Sequence, residues 1–283
     1  MYVGTATYIA GLMSNSIVKP FLKWAGNKAK LIPYIRRYLP TGSRLVEPFV
    51  GSGAVFLNSE FDRYLLNDIN PDLINVYQIL QRQGLEFIYY AKSFFIPENN
   101  SAERYYHLRT RFNQHCDPLE RAALFIYLNR HGYNGLCRYN SQGLFNVPFG
   151  LYKKPYFPFN EMLIFYRKAK HAVFICEHFL QVFKRLRRGN VIYCDPPYVP
   201  LSTTAYFTQY SQSIFGSAEQ ILLANMVKAT SLKGIPVLLS NHDTPLTRQL
   251  YQDAEIFSFS ANRYISCKAD QRKPVQELLA IFQ

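Results

Sequence analysis

The segment Val191-Ile192-Tyr193-Cys194-Asp195-Pro196-Pro197-Tyr198 places an acid, two prolines and an aromatic ring directly behind a short apolar run. The apolar run predicts a buried strand. That strand must end at the prolines, because proline lacks the amide hydrogen that a sheet ladder needs. The side chains of Asp195 and Tyr198 would then face open space. The segment therefore predicts a sheet with a functional site at the end of one of its strands.

These residue types suit transfer of a methyl group to an exocyclic amine of a nucleobase. The lone pair of such an amine is delocalised into the ring, so the nitrogen is a poor nucleophile. The Asp195 carboxylate and the Pro196 carbonyl would accept its hydrogens and free the lone pair, and Tyr198 offers a face for an extruded base. The alternative is a proline-rich turn with an exposed tyrosine, and only neighbouring motifs decide between the two.

Two upstream segments indicate a nucleotide-binding α/β fold. Arg44–Val46 runs into the glycine-bearing turn Glu47–Gly53 and then into the apolar Ala54–Leu57, which reads as strand, turn and helix. A second short strand, Tyr64–Asp68, ends in an acid, the residue type that accepts hydrogen bonds from ribose hydroxyls. An ordinary strand-to-helix turn, and a turn or helix-capping role for Asp68, are the structural alternatives.

Seven segments resemble, in one order, bacterial DNA adenine methyltransferases of the Dam type, which methylate adenine N6 within GATC. They are residues 21–28, 47–53, 67–70, 129–140, 145–157, 195–198 and 240–243. The resemblance covers about residues 19–280. It implies a Rossmann-like sheet that binds S-adenosyl-L-methionine, an inserted, mainly helical DNA-recognition domain that carries a β-hairpin, and direct methyl transfer to a flipped adenine.

The resemblance also implies roles for individual residues. The implied catalytic residues are Asp195, Pro196, Pro197 and Tyr198. The implied cofactor-binding residues are Trp24, Ala25, Gly26, Lys28, Glu47, Pro48, Phe49, Gly51, Gly53, Asp68 and Asp195. The expected DNA-binding residues are Lys23, Tyr133, Asn134, Leu136, Arg138, Pro148, Tyr152 and Lys153. Without the resemblance, the single tryptophan would be read first as a core residue.

The residues between 131 and 148 have chemistry that suits base recognition. Arg138 can donate two hydrogen bonds to guanine O6 and N7. Tyr133 and Asn134 lie at a turn where a planar side chain can fill the space that a flipped adenine leaves. Leu136 and Pro148 can touch a thymine methyl group. The alternative is a solvated basic hairpin with structural aromatic residues.

Other residues of this region are expected to contact phosphate or depart from the family pattern. Lys153 and Lys154 are expected phosphate contacts, which position a protein without reading sequence. Leu151 stands where the pattern often has a basic residue, which removes one such contact. Asn27 replaces a glycine, and asparagine tolerates the left-handed backbone that a turn there would need.

The formal net charge of +13 predicts an anionic partner, for which double-stranded DNA is expected. The excess of basic residues lies in residues 1–190, and residues 159–190 alone carry seven basic and two acidic residues. We find no basic amphipathic anchor and no 18-residue apolar run, so no membrane contact is expected. Residues 1–16 lack the basic start of a signal peptide and are expected to form a mobile extension.

The five cysteines include no CxxC pair and the six histidines form no ligand-spaced cluster. Neither a disulfide framework nor a metal site is therefore expected, and the absence of a deaminase HxE…PCxxC pattern argues against a zinc deaminase. Reduced cysteines are typical of a cytoplasmic protein, here nucleoid-associated, and a monomer is expected.

The helical signals divide the chain into a catalytic domain, residues 17–70 and 159–283, and an inserted recognition domain, residues 71–158. Asn100…Glu103 resembles a capping box, Asp117-Pro118-Leu119-Glu120 is a stronger helix start that should lead to Gly132, and Ser141–Gly143 predicts a hairpin turn.

Near the end of the chain, Ile235–Ser240 predicts a buried strand, and Asp243 behind it has a structural or pocket-rim role. Arg263–Ser266 and Gln271–Lys273 are either phosphate contacts or solvated loop. A cytosine-N4 methyltransferase, an RNA amino-methyltransferase and a non-catalytic DNA-binding regulator remain alternatives for the function.

Overall fold

A computed structural model describes residues 16–26, 28–114, 117–199, 215–261 and 275–283. The expectations for Asn27, for most of the N-terminal extension, and for the basic residues at 263–266 and 271–273 lie outside the described residues.

The described residues contain a mixed sheet of seven strands in the order β3-β2-β1-β4-β5-β7-β6. The strands are β1 (Arg44–Glu47), β2 (Arg63–Asn67), β3 (Ala172–Ile175), β4 (Asn190–Cys194), β5 (Val237–His242), β6 (Glu255–Ala261) and β7 (Val275–Phe282). The first five strands of that order run parallel, and β7 lies antiparallel between β5 and β6. The predicted strands at 44–46, 64–68, 191–194 and 235–240 all lie within or overlap this sheet.

The helices are α1 (Ile32–Tyr38), α2 (Ala54–Leu57), α3 (Pro71–Gln83), α4 (Leu85–Lys92), α5 (Ala102–Asn113), α6 (Pro118–His131), α7 (Phe159–Ala169), α8 (Phe179–Phe183), α9 (Ser217–Ser231) and α10 (Pro245–Leu250), with 3₁₀ turns at Pro97–Asn99 and Tyr133–Gly135. No helix among the described residues is long and apolar enough to cross a membrane.

The sheet is covered on both faces, which explains why the central residues of its parallel strands are apolar. One face packs against α1, α2, α3 and α7 through residues such as Ile35, Phe56 and Phe165. The other packs against α8 and α9 through Val182 and Val227. The first of these cores continues into α4, α5 and α6, so the division at 70/71 and 158/159 stays a prediction.

Sequence signals located two helices between residues 71 and 158, α5 and α6, with one shift in the cap of α5. Asp117 caps α6 by accepting a 2.9 Å hydrogen bond from Leu119 N, as predicted. The cap of α5 is Ser101, not Asn100, and it accepts from Arg104 N at 3.3 Å. The expected hairpin is loosely paired: it contains only the isolated bridges Gly132–Phe149 and Tyr139–Phe145 instead of regular strands.

The chain reverses its direction of travel across the sheet between β1 and β4. It passes from β1 outward to β2 and β3, then returns to β4 on the other side of β1. Ligands of open α/β sheets bind beside such a switch point, at the carboxyl ends of the strands. The residues that follow β1, β2, β3 and β4 therefore share one edge of the sheet.

Candidate active site

A cavity of about 640 Å³ lies at the carboxyl ends of the parallel strands. Its lining includes all four of the expected catalytic residues and every expected cofactor-binding residue except Gly53. The volume is in the range of pockets that hold cofactor-sized ligands. Residues more than 170 positions apart in the sequence therefore meet at one site.

The Asp195 carboxylate follows the last residue of β4 and is held by two neighbours. Lys28 Nζ lies 2.9 Å from Oδ1, and the Ser240 hydroxyl donates to the same oxygen at 2.8 Å. Among the described residues, no group bonds Oδ2. One carboxylate oxygen is thus anchored while the other is available to a ligand.

The Tyr198 ring stands beside this carboxylate. The Tyr198 ring packs edge-on against the His242 ring at a centroid distance of 4.7 Å. The Lys28 ammonium lies 4.3 Å from the centroid of the Tyr198 ring. Burial, and then the Asp195 charge, raise the pKa of the Tyr198 phenol well above its ordinary value. A base that stacks on Tyr198 would use the ring face that Lys28 leaves open.

The two prolines of the motif differ in their contacts. Gln220 Nε2 donates to the Pro197 carbonyl at 2.7 Å, which holds the turn against α9. The Pro196 carbonyl accepts no hydrogen bond from the described residues. It is therefore free to act as the second acceptor that the sequence suggests.

The turn after β1 has little room for side chains. Gly51 has φ +48°, and a Cβ atom there would stand 3.0 Å from Trp24 Nε1. Gly53 has φ +74°, but an added Cβ would meet the Phe165 ring instead of the cavity. Gly51 thus serves close packing of the Trp24 segment, whereas Gly53 serves the start of α2.

Asp68, directly after β2, accepts hydrogen bonds from Gly51 N and Asn70 N, both at 3.0 Å. Burial raises its pKa despite these two bonds. Asp68 does not cap α3, because that role belongs to Asn70. The carboxylate instead joins the turns after β1 and β2 while it lines the cavity.

Glu47, the last residue of β1, is almost fully buried and lines the cavity. Its Oε1 atom has no hydrogen-bond partner among the described residues. Burial, followed by repulsion from the Asp195 carboxylate, raises the pKa of Glu47 well above its ordinary value. A buried oxygen without a partner suits a ligand that carries a positive charge or a donor group.

The Glu47→Gln substitution is expected to flatten the pH dependence of stability. Because burial and the Asp195 charge raise the folded-state pKa of Glu47, the stability linked to its protonated form is full below the unfolded pKa and is lost as the pH rises through the folded pKa. That loss is about 1.4 kcal/mol for each pH unit between the two values. Urea unfolding of the ligand-free native and Glu47→Gln proteins from pH 4 to pH 8 measures this. The same dependence of unfolding free energy on pH in both proteins would contradict the prediction.

Sequence analysis missed the residues that follow β3. Glu177, His178 and Phe179 line the cavity beside the expected residues. Asn67, at the end of β2, donates to Pro48 O at 2.8 Å and to Glu177 O at 3.0 Å, which ties the turns after β1 and β3 together. They could have been predicted from the sequence because, like Asp68 and Asp195, they directly follow an apolar strand.

Tyr133 and Asn134 lie together on the surface beyond the cavity. Both are exposed, and Asn134 has φ +52°, a left-handed conformation that asparagine tolerates. Leu136 is half-buried, and Pro148 is exposed and accepts from Tyr133 N at 2.8 Å. The structure thus presents an aromatic ring and an amide at a tight turn.

The basic residues of this surface are held to different degrees. Arg138 is exposed, and its Nε donates to Asn146 Oδ1 at 2.8 Å across the hairpin. Lys23 Nζ lies 4.1 Å from the centroid of the Tyr152 ring. Lys153 is exposed. Leu151 is 82% exposed with φ +55°, so an apolar side chain stands on the surface where the family pattern often has a cation.

Asn129 joins the turn Tyr133–Gly135 to the segment that lines the cavity. This buried amide accepts from Lys23 N at 2.9 Å and donates to Lys23 O at 2.7 Å and to Gly135 O at 3.1 Å. Because Trp24 follows Lys23 and lines the cavity, the two surfaces are held together by one side chain. Asn129 lies in the resembling segment 129–140, but no role was predicted for it, because its partners are a hundred residues away or in a turn.

Asp72 makes a second link between the two regions. Its carboxylate pairs with Arg121 and accepts from the Tyr139 hydroxyl at 2.6 Å. Asp72 lies in the first turn of α3, four residues after the cavity residue Asp68, and Tyr139 follows Arg138. The network fixes the hairpin relative to the cavity.

One further expectation, for Asp243, has a structural outcome. Asp243 pairs with Arg248 Nε at 2.7 Å and accepts from the Ser258 hydroxyl, so it has a structural role and does not line the cavity. In the part of the chain that the structure describes, no group of three or more His, Cys, Asp or Glu residues could hold a metal ion.

Comparison with known proteins gives a consistent result. Residues 24–265 match the family model described as D12 class N6 adenine-specific DNA methyltransferase. The chain is 52% identical over 265 residues to a DNA adenine methylase of Vibrio cholerae serotype O1, a match that covers 93% of this chain and 96% of that protein.

Two further DNA adenine methylases show the same extent of similarity. The Escherichia coli K12 protein is 51% identical over 94% of this chain and 95% of its own length, and the Serratia marcescens protein is 50% identical over 94% and 98%. A family match over most of the chain, together with identity of about one half at nearly full length, assigns the family. The chain belongs to the D12 class of N6 adenine-specific DNA methyltransferases.

Proposed function

We propose that this adenine-specific DNA methyltransferase transfers a methyl group from S-adenosyl-L-methionine to adenine N6 in GATC sites of duplex DNA. The observation that carries the proposal is the Asp195 carboxylate, which lines the cavity and whose Oδ1 is anchored while no described residue bonds Oδ2. A fixed acceptor of this kind orients an amine without first having to reorganise.

The cavity fits S-adenosyl-L-methionine by its donor set. The unpartnered Glu47 oxygen suits the ammonium group of the methionine part, and the Asp68 carboxylate suits the ribose hydroxyls. The Trp24 ring and Phe179 supply apolar surface. When bound, the cofactor supplies a methyl group on a sulfonium, a good leaving group that needs no metal.

The chain's own residues then act on the target amine. Asp195 Oδ2 and the Pro196 carbonyl accept its two hydrogens, which moves the nitrogen toward tetrahedral geometry and directs its lone pair at the methyl group. Lys28 and Ser240 keep the carboxylate in place. The rate gain comes from alignment and from preorganised acceptors, because the proton leaves only after the methyl group has moved.

The exposed hairpin supports DNA recognition. The exposed Tyr133, in the tight turn beside the left-handed Asn134, can enter the base stack when an adenine leaves it. Arg138, oriented by Asn146, presents its guanidinium to solvent as a donor for guanine. The contacts of Asn129 and Asp72 hold this surface at a set distance from Asp195.

A protection experiment tests the proposal. Plasmid DNA without adenine methylation is incubated with the protein and S-adenosyl-L-methionine, then cut with a nuclease that requires methyladenine in GATC. Cleavage that depends on the cofactor is expected. Labelled methyl groups that enter DNA without cleavage would show another site or base, and no incorporation would favour an RNA substrate or a non-catalytic regulator.

The Arg138→Ala substitution is expected to relax sequence choice. Loss of a bidentate guanine contact costs about 1–3 kcal/mol of discrimination, or roughly 5- to 150-fold. The measurement is the ratio of kcat/KM for a GATC duplex and a duplex with the guanine replaced. Lys153→Ala is the matched control, because loss of a phosphate contact should weaken both duplexes equally. An unchanged ratio for Arg138→Ala would remove Arg138 from readout.

A further inference from the structure

A row of cations lies at the amino ends of four parallel strands, opposite the cavity. It consists of Lys170 before β3, Arg63 at the start of β2, Arg44 at the start of β1, and Arg187 and Arg188 before β4. We call it the amino-edge row. Three of the five, Lys170, Arg187 and Arg188, belong to the seven basic residues of segment 159–190.

The strand register brings these cations together. Arg44 and Arg63 are direct partners in the β1–β2 ladder, so their side chains leave the same face of the sheet. Tyr64 N donates to His171 O at 3.0 Å, and Ser43 N donates to Gly189 O at 3.0 Å, which places the turns before β3 and β4 beside them. Neighbouring strands lie about 4.8 Å apart, so the cations at the ends of four adjacent strands extend over roughly 15 Å.

The charges of the row are not neutralised within the described residues. None of its five members forms an ion pair there. Asp62 is the acid that shares its cleft of about 410 Å³, and nearby Glu60 pairs with Lys168 instead. Burial, followed by repulsion from Arg187 and Arg63, lowers the pKa of Arg44. A polyanion that neutralised the row would relieve this repulsion.

We propose that the amino-edge row binds the sugar-phosphate backbone of a second segment of duplex DNA, separate from the segment at the cavity. The guanidinium group of arginine can donate two hydrogen bonds to one phosphate. One DNA strand carries a phosphate about every 3.4 Å along the helix axis, so about four phosphates span a row of this length. The parallel strands separate the row from the cavity edge by roughly 15 Å.

DNA is favoured over other polyanions by proximity. The family's substrate is a long polymer, so a second segment of the same molecule is present at high effective concentration whenever the first is bound. The proposal depends on the DNA substrate of the family and not on GATC as the methylated site.

The test compares Arg63→Ser/Lys170→Ser with a matched control, Lys92→Ser/Arg104→Ser, which removes two exposed cations from the inserted helices. Sedimentation at low salt with a 20-base-pair GATC duplex in excess counts the duplexes bound to each protein. The native chain and the control are expected to bind two, and the row variant one. The slope of log K against log salt concentration for long non-specific DNA should also become shallower by about 1.8 in the row variant, because each lost phosphate contact accounts for about 0.9.

Methylation of the same short duplex separates this proposal from the proposed function. The row variant should keep the native kcat/KM on it, with an unchanged melting temperature as proof of folding. A single bound duplex for the native chain, two for the row variant, or loss of short-duplex activity in the row variant would each overturn the second-segment site. Absence of GATC methylation by the native chain would overturn only the proposed function.

Discussion

The Asp195→Asn protein is expected to bind duplex DNA within a few-fold of the native affinity and to lose about 10²- to 10³-fold in kcat, the loss that follows removal of a preorganised polar group. An amide replaces one acceptor oxygen with a donor NH₂ group. If that group takes the Oδ2 position, it repels the hydrogens of the target amine. If it takes the Oδ1 position, it faces the Lys28 ammonium, which now lacks its counter-charge. Either arrangement disrupts the acceptor.

Single-turnover transfer of a labelled methyl group, with enzyme in excess over a short duplex, measures this loss without product release. Ser240→Ala is the informative control, because it removes one of two contacts to Oδ1 and leaves the charge in place, so a loss of about 10-fold is expected. Native single-turnover rates in Asp195→Asn would disprove the role of the carboxylate. Loss of duplex binding in the same variant would mean that the residue serves folding or binding instead.

The Lys28→Met protein is expected to lose about 10²-fold in kcat while its KM for DNA changes little. Lys28 is only 6% exposed, and its ammonium contacts Asp195, the Gly26 carbonyl at 2.8 Å and the Tyr198 ring. Removal of one partner of a fully buried pair costs about 3–5 kcal/mol. The Asp195 side chain is 20% exposed and keeps its Ser240 contact, so a smaller cost is expected here. We infer that Lys28 positions the carboxylate and the ring against which the base reacts.

Stability complicates this second experiment, so the design separates the two effects. The melting temperature of Lys28→Met should fall, and kcat is therefore measured well below it. Lys28→Arg keeps the charge with a different shape and should recover part of the activity, whereas a purely structural role would depend on packing alone. Equal activities for Lys28→Met and the native chain would show that Ser240 suffices to hold Asp195.

Sequence patterns alone predicted the elements that position the cavity. The strand ends at Glu47, Asp68 and Asp195 could be located because an apolar run followed by an acid or a proline is a local signal. The resemblance to a known family then placed the cofactor segment and the recognition hairpin in order. The cap at Ser101 and the loose pairing of the hairpin were not predicted, because boundaries depend on packing that short patterns do not encode.

The contacts that make the site a single unit could not be read from the sequence. Asn129 joins Lys23 to Gly135 across more than a hundred residues, and Asp72 joins α3 to the hairpin, yet neither stands in a distinctive local pattern. The same holds for Glu177, whose partner is Asn67. Hydrogen-bond partners of this kind depend on which strand ends and helix ends become neighbours.

The amino-acid sequence by itself determined the strand-turn-acid units, the inserted helices and the basic character of the chain, because periodicity, capping and charge are properties of short segments. Only the tertiary structure decided that Lys28 and Ser240 anchor the same oxygen of Asp195. It also decided that, within the described residues, Glu47 Oε1 has no partner and the arginines of the opposite edge form no ion pair. The physical reason is the sheet order, which brings sequence-distant strand ends within hydrogen-bond distance.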